Sequence, residues 1–221
     1  LDEDLAPLRE ACARAGIEVS VVAWDDPTVS WARFDAVLLR STWDYMDHLP
    51  AFLAWCERVD RAGTLWNAPE VVRWNTDKRY LGDLAGRGVP VIESHFLAPG
   101  DAADAFPDLD EFVVKPTVSA GSRDTQRYTR AERAAAVAHA RRLLDAGRHV
   151  LVQPYLAQVD EAGETALLFF DGEFSHAIRK APLLRRGEGP TRALFAPERI
   201  QPREPTPAEH AVAARVLQAL P

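Results

Sequence analysis

Residues 112–122 read FVVKPTVSAGS. The apolar run predicts a buried strand over Glu111–Lys115. That strand closes on a charge, Lys115, and Pro116 has no N–H to donate, which predicts the end of ladder pairing there. Thr117–Ser122 follows as a loop of small residues. Ala120, Gly121 and the hydroxyls of Ser119 and Ser122 add little bulk, so backbone N–H groups could approach a phosphate closely. Taken alone, a lysine at a strand exit need only reach solvent. The rest of the chain decides whether it marks a site.

The chain has 221 residues, 47% hydrophobic and 27% charged, the composition of a globular protein with one large domain or two modest ones. No apolar run approaches the ~18–20 residues of a membrane span. The first residues, LDEDLAPLRE, are acidic, unlike the basic start of a secretory signal. Cys12 and Cys56 lie in helix-like segments and read as small buried hydrophobes of a reducing cytosol rather than a disulfide or metal ligands. A cytoplasmic location follows. The net charge of −7 argues against a nucleic-acid surface, so an anionic ligand must be held by local cations.

Helical and strand patterns alternate along the chain. A helix over 2–15 ends at Gly16, and strands follow at Ile17–Trp24 and Asp35–Leu39. A helix over 48–62 places Leu49, Phe52, Leu53, Cys56 and Val59 on one face and stops at Gly63. This order suggests a half-Rossmann unit without its first strand. Beyond Pro69 come a short helix at Thr76–Arg87, a strand at Val89–Phe96 and then Glu111–Lys115. Thr129 and Glu132 form a capping box for a helix reaching Ala146, ended by Gly147, with a strand next at His149–Gln153. Asp171-Gly172 between Thr165–Phe170 and Glu173–Lys180 is a hairpin signal. RRGEGPTR (185–192) is a basic loop, and a last helix starts at Thr206, with Pro207 and Glu209 completing its cap, and runs to Leu220.

Further chemistry-bearing residues sit where these elements end. Lys78 in NAPEVVRWNTDKRYL (67–81) falls near a helix start behind Asn75 or Thr76 as cap, where a phosphate could meet free N–H groups; it could equally be an exposed helix lysine. VLVQPYL (150–156) can offer backbone groups to an adenine edge, or can be an interior strand reaching a turn. In 160–180, Glu164 begins the hairpin and Arg179 and Lys180 end it; surface charges are the plain alternative. The six histidines lack metal-ligand spacing, and His139 and His210 read as surface residues of helices. No G-x-S-x-G, Walker A or G-x-G-x-x-G sequence is present.

The ordered set of Lys78, Val-Val-Lys-Pro, the small-residue loop, Gln-Pro-Tyr-Leu, Glu164 and Arg179-Lys180 resembles the ATP-grasp superfamily over residues 68–220. The fold class implied is α/β and α+β: an ATP-grasp fold behind an amino-terminal half-Rossmann (pre-ATP-grasp) domain. The domains expected are 1–67 and 68–221, the small subdomain covering about 77–155. The resemblance implies ATP and Mg2+ as cofactors. Lys78 and Lys115 would contact the phosphates, Lys115 also approaching the adenine, under a mobile loop that includes Thr117, Ser119, Gly121 and Ser122. Gln153, where the family often has Glu, would line the adenine pocket with Tyr155 and Leu156. Glu164 would meet the ribose, with Asp160 and Glu161 as rivals, and Lys180, Arg179 and Arg192 would offset charge on the transferring group. The family's magnesium ligands lie on strands after the last helix, so they are expected beyond Pro221 and none is assigned. On this reading the chain is incomplete at both ends, or the protein is not catalytic.

RSTWDYMDHL (40–49), with VVRWNTDKRYL and KPTVSAGSRDT, looks like the subgroup that includes O-ureido-serine cyclo-ligases. Ser41, Thr42 and Asp44 would then face an amino-acid-like small molecule at the end of a parallel strand. Alternatively, Trp43 and Tyr45 pack a domain junction while Asp44 caps the next turn. The implied activity is carboxylate activation as an acyl phosphate for attack by nitrogen, here the cyclisation of O-ureido-D-serine to D-cycloserine. An intermolecular carboxylate–amine ligase and a non-catalytic nucleotide-binding module are the other readings. No membrane or nucleic-acid partner is expected, and a homodimer is left open.

Overall fold

The i, i+3, i+4, i+7 spacing of Phe52, Trp55, Cys56 and Val59 organises the amino-terminal part of the chain, because it turns a single stripe of α2 (Leu49–Ala62) into the core. The computed structural model describes residues 2–182, 184 and 199–221. These fall into units Leu1–Arg73 and Trp74–Pro221. In the first, α1 (Leu5–Arg14) precedes β1 (Val37–Leu38), α2, β2 (Leu65–Trp66) and α3 (Pro69–Asn75), which crosses the division. β1 and β2 pair in parallel across α2. Trp24, Trp31 and Tyr45 pack edge-on or tilted against Phe52 and Trp55. The expected helical face is therefore turned toward Trp55, and Leu49 and Leu53 are only half-buried.

Ile17–Trp24 is not a strand. It is largely apolar, but among the described residues it has no ladder partner, and Ile17 and Val21 are 57% and 58% exposed. Apolar content marks a segment for burial. A strand also needs a neighbour's N–H and C=O groups.

The second unit contains α4 (Tyr80–Gly86), β3 (His95–Leu97), β4 (Glu111–Pro116), β5 (Gln126–Thr129), α5 (Arg133–Asp145) and β6 (Val150–Pro154). After α6 (Gln158–Ala162) come β7 (Glu164–Phe170), β8 (Glu173–Lys180), β9 (Ile200–Arg203) and α7 (Pro207–Gln218). An antiparallel sheet runs β3-β6-β4-β5, and a second runs β7-β8-β9. Phe112, Val114, Tyr128, Val150 and Val152 on one sheet face join Ala136, Ala140 and Leu143 of α5 in the main core. The period of two then puts Val113, Lys115, Arg127, Leu151 and Gln153 on the opposite face. Both capping boxes form, at Thr129–Glu132 and Thr206–Glu209, and Asp171 and Gly172 both take positive φ in the β7–β8 turn.

Several local expectations change. α4 starts at Tyr80, not Thr76, because Asn75 still belongs to α3 and Asp77 accepts the Arg79 N–H at 3.0 Å in the turn between them. The strand expected at Val89–Phe96 is confined to His95–Leu97. Pro116 does not end pairing: it stands opposite Val150, and Thr117 N–H still donates to His149 at 3.0 Å. Alternation along β4 turns the missing proline donor toward β5, whose pairing has already stopped at Val114. His139 is buried, not on the surface. Its Nδ1 lies 3.0 Å from the Tyr128 hydroxyl, and burial lowers its pKa to about 4. Cys12 is only half-buried, Cys56 is fully buried, and both are free thiols.

Candidate functional site

β4 carries Lys115 to the sheet face opposite α5, and the turn before α4 carries Lys78 to the loop that follows β4. The Lys78 N–H donates to the Thr117 carbonyl at 2.9 Å. Its Nζ donates to the Ser119 carbonyl at 2.9 Å, to Ser119 Oγ at 3.0 Å and to the Thr117 carbonyl at 3.3 Å. Thr117 and Ser119 are themselves buried, so this part of the loop is anchored at its base. Gly121 and Ser122, both at φ +59°, then turn the chain back.

Positive charge is concentrated here, and among the described residues neither Lys78 nor Lys115 is bonded to a carboxylate. Burial lowers the Lys78 pKa to about 8, and the Lys115 charge pushes it the same way, against a weaker pull from Asp77. Burial also depresses Lys115, opposed by the charge of Glu164. Among the described residues Lys115 makes no hydrogen bond or ion pair. Arg148 adds a third positive charge and donates to Val118 at 3.4 Å, while its other Nη holds Asp124 at 2.6 Å. Two ammonium groups drawn out of water and toward each other form a cradle for an anion.

The strand end expected to line a base pocket is firmly held. Gln153 is buried opposite Val113 and donates Nε2 to Ser94 Oγ at 2.9 Å. Tyr155 N–H donates to the Glu111 carbonyl at 2.8 Å, extending the ladder past β6. Leu156 lies on the following turn and is exposed. Glu164 opens β7 directly across from Lys180 at the end of β8. Arg179 donates to the Glu161 carbonyl. The structure thus brings together Lys78, Lys115, Thr117, Ser119 and, through its charge on Lys115, Glu164. Arg192 and the 185–192 loop lie outside the described residues.

In the amino-terminal unit, Ser41 takes φ +55° and donates Oγ to Asp2 at 2.5 Å. Asp44 does not cap the next turn with its carboxylate, which accepts the Trp24 indole N–H at 2.9 Å. Thr42 is half-buried, and its carbonyl accepts the Tyr45 N–H at 3.2 Å. Tyr45 packs on Phe52 within this unit.

A solved crystal structure of D-cycloserine synthetase DcsG superposes with a TM-score of 0.87 at 44% sequence identity, covering 99% of this chain and 75% of that one. The chain belongs to the D-cycloserine synthetase family. The family resemblance carried by the ordered cations therefore holds. The model of the amino-terminal domain of D-cycloserine synthetase DcsG matches residues 1–67. The cycloserine biosynthesis protein DcsG of Streptomyces lavendulae is 48% identical over an alignment of 192 positions, covering 83% of this chain and 64% of that protein. The matched part of the chain thus spans less than two thirds of that relative. The ATP-grasp ligase PsnB with a minimal precursor superposes at TM-score 0.60 and 20% identity, over 99% of this chain and 78% of that one. The fold is the ATP-grasp fold.

Within that fold, some residues of the site were not legible beforehand. Asp124 takes Arg142 at 3.1 Å as well as Arg148, so the far end of the 117–125 loop is stapled to α5 and to the turn before β6. Gly163, at φ +69°, joins α6 to β7, and a Cβ there would meet the Lys180 carbonyl oxygen at 2.3 Å. Arg127 is buried on the Lys115 face of the sheet. Nothing in QRYT distinguishes Arg127 from a surface strand residue; only its register does. Two ammonium groups beside small residues are donors of the kind that could hold a polyphosphate. Among the described residues no three His, Cys, Asp or Glu side chains are grouped to hold a metal ion.

Proposed function

We propose that the protein is a cytoplasmic ATP-dependent ligase that closes O-ureido-D-serine to D-cycloserine. Its carboxylate would be activated as an acyl phosphate and then attacked by a nitrogen of the same molecule. The observation that carries this reading is the pair of desolvated lysines in a chain of this family: Lys78, bonded to the Thr117–Ser119 backbone, and Lys115, whose charge acts on it. ATP supplies the phosphoryl group when bound, and the protein's share is placement and charge neutralisation.

Lys78 and Lys115 hold the phosphates, with N–H groups and hydroxyls of Thr117–Ser122 around them. Lys180 and Arg179, at the end of β8, face developing charge on the transferring group, together with Arg192. Gln153, Tyr155 and Leu156 line the base, and Glu164 takes the ribose. Glu164 is preferred to Asp160 because both Asp160 oxygens already accept hydrogen bonds. Ser41, Thr42 and Asp44 bind the amino-acid substrate. No side chain acts as a covalent nucleophile. In support at the level of the fold, another PsnB structure, matched at TM-score 0.54 and 20% identity over 84% of this chain and 62% of that one, is complexed with Mg and ADP.

The test is ADP release by the intact protein given ATP, magnesium and O-ureido-D-serine alone. Stoichiometric ADP and D-cycloserine are expected. ADP release only on addition of a second amino compound would replace cyclisation with an intermolecular ligase.

A further inference from the structure

Arg127 is a buried side chain of the carboxy-terminal unit with every one of its nitrogens bonded. It stands on β5 opposite Val113 and is 6% exposed. Nε donates to Glu111 at 2.7 Å, while Nη1 and Nη2 reach the two oxygens of Asp160 at 2.9 and 3.0 Å. Nη1 also contacts the Leu184 carbonyl at 3.4 Å. The guanidinium lies 3.5 Å from the centre of the Tyr155 ring, and the Tyr155 hydroxyl donates to Asp160 at 2.5 Å. One planar group thus grips β4, the end of β6 and α6 together.

Those elements present the proposed nucleotide contacts. Tyr155 follows β6, and α6 leads through Gly163 into β7, which opens on Glu164. A buried arginine between two carboxylates contributes little net stability compared with a well-packed apolar alternative. Its distinctive property is geometric: a rigid fork with a flat face fixes direction as well as distance.

We infer that Arg127 is a positioning residue for the nucleotide. By clamping Asp160 and the Tyr155 ring, it sets the spacing between the base-lining strand end and the ribose carboxylate at the start of β7. This rests on the reading of Gln153–Leu156 and Glu164 as nucleotide contacts.

The experiment compares the intact wild-type protein with Arg127→Lys and Asp160→Asn. Lysine keeps the charge but loses the fork and the stacked face. Asparagine keeps the shape of Asp160 and removes its charge, so it tests the clamp even if Arg127→Lys fails to fold. Each protein is checked by thermal unfolding and titrated with ATP, GTP and O-ureido-D-serine. The KM for ATP should rise about tenfold or more in both variants, a change of roughly 1.4 kcal/mol. The wild-type preference for ATP over GTP should shrink, and the KM for the amino-acid substrate should stay within about twofold. A folded Asp160→Asn protein with wild-type ATP affinity would overturn the inference, as would a kcat loss with no change in KM for ATP. If the wild-type protein binds no ATP, the nucleotide reading itself fails, and the Arg127 role with it.

Discussion

Two short apolar runs in this chain end on a cation, AVLLR at 36–40 and FVVK at 112–115, and the structure treats them in opposite ways. Arg40 is paired: its guanidinium holds Asp2 at 2.6 and 2.7 Å and Asp4 at 2.8 Å, and Ser41 completes the cluster on Asp2. Those contacts hold the Asp2 carboxyl far below the usual carboxylate range. Lys115 is half-buried beside a second lysine, with Glu164 acting on it only through space. A cation with all its partners inside the protein is a staple. One that has been desolvated and left unmatched is poised for a ligand that brings the missing charge.

The sharpest way to break this contrast is Lys115→Ala. Removing the unmatched cation should weaken ATP binding and ligase activity by at least about a hundredfold, by analogy with deleting one charge-stabilising donor from an active site. Unfolding temperature should change little. Wild-type ATP affinity by calorimetry would show that Lys115 meets no nucleotide and dissolve the comparison.

Gly163→Ala comes next. Its φ of +69° is strained for alanine, and the added Cβ would collide with the backbone at Lys180, which cannot yield as a side-chain tip could. A loss of roughly 2 kcal/mol is expected, read as a fall in denaturation midpoint. Because Lys180 and Arg179 would shift with β8, activity should drop more than stability alone explains. An unchanged midpoint would show that the α6–β7 junction can open without cost.

Lys78 gives a pH test. Its folded pKa, about 8, lies below the ordinary 10.5, so the native protein binds fewer protons than the unfolded chain between those values. The cost of burying the ammonium is fully present below pH 8 and is relieved as pH rises toward 10.5. Bound phosphate needs the charged form, so ATP affinity should fall about fivefold from pH 8 to pH 9, with proton uptake on binding. Calorimetry in buffers of different ionisation enthalpy measures that uptake. Its absence at pH 8.5 would mean that Lys78 stays protonated without ligand.

The smallest effect is expected from the staple. Arg40 keeps 40% of its side chain exposed, so solvent screens its ion pairs, and Arg40→Ala should cost less than about 1 kcal/mol of stability. ATP affinity should not change. A tenfold loss of ATP affinity there would make the two strand ends alike after all.

Local chemistry was legible wherever it is local. The capping boxes at Thr129 and Thr206 and the Asp171-Gly172 turn depend on contacts within a few residues, and all of them form, while the apolar face of α2 forms turned toward Trp55 because Trp24 and Trp31 pack on it. The order of Lys78, Lys115, Gln153 and Glu164 also pointed to the family, because chain order survives folding. Legibility failed where a residue's meaning lies in a distant partner. Ile17–Trp24 has a strand's composition and no strand beside it among the described residues. His139 has a helix surface's spacing, but its face of α5 is the one that meets the sheet at Tyr128. Arg127 and Arg148 look like ordinary arginines until Asp160 and Asp124 arrive from 33 and 24 residues away.

By itself, then, the sequence determined the elements with local signals, the family and a short set of cations worth testing. Only the tertiary structure decided which cations are matched, because pairing is set by what folding brings within about 3 Å and by how much water it removes. FVVK and AVLLR differ little as strings. Asp2 and Asp4 close around one of them, while the other is desolvated near a second lysine.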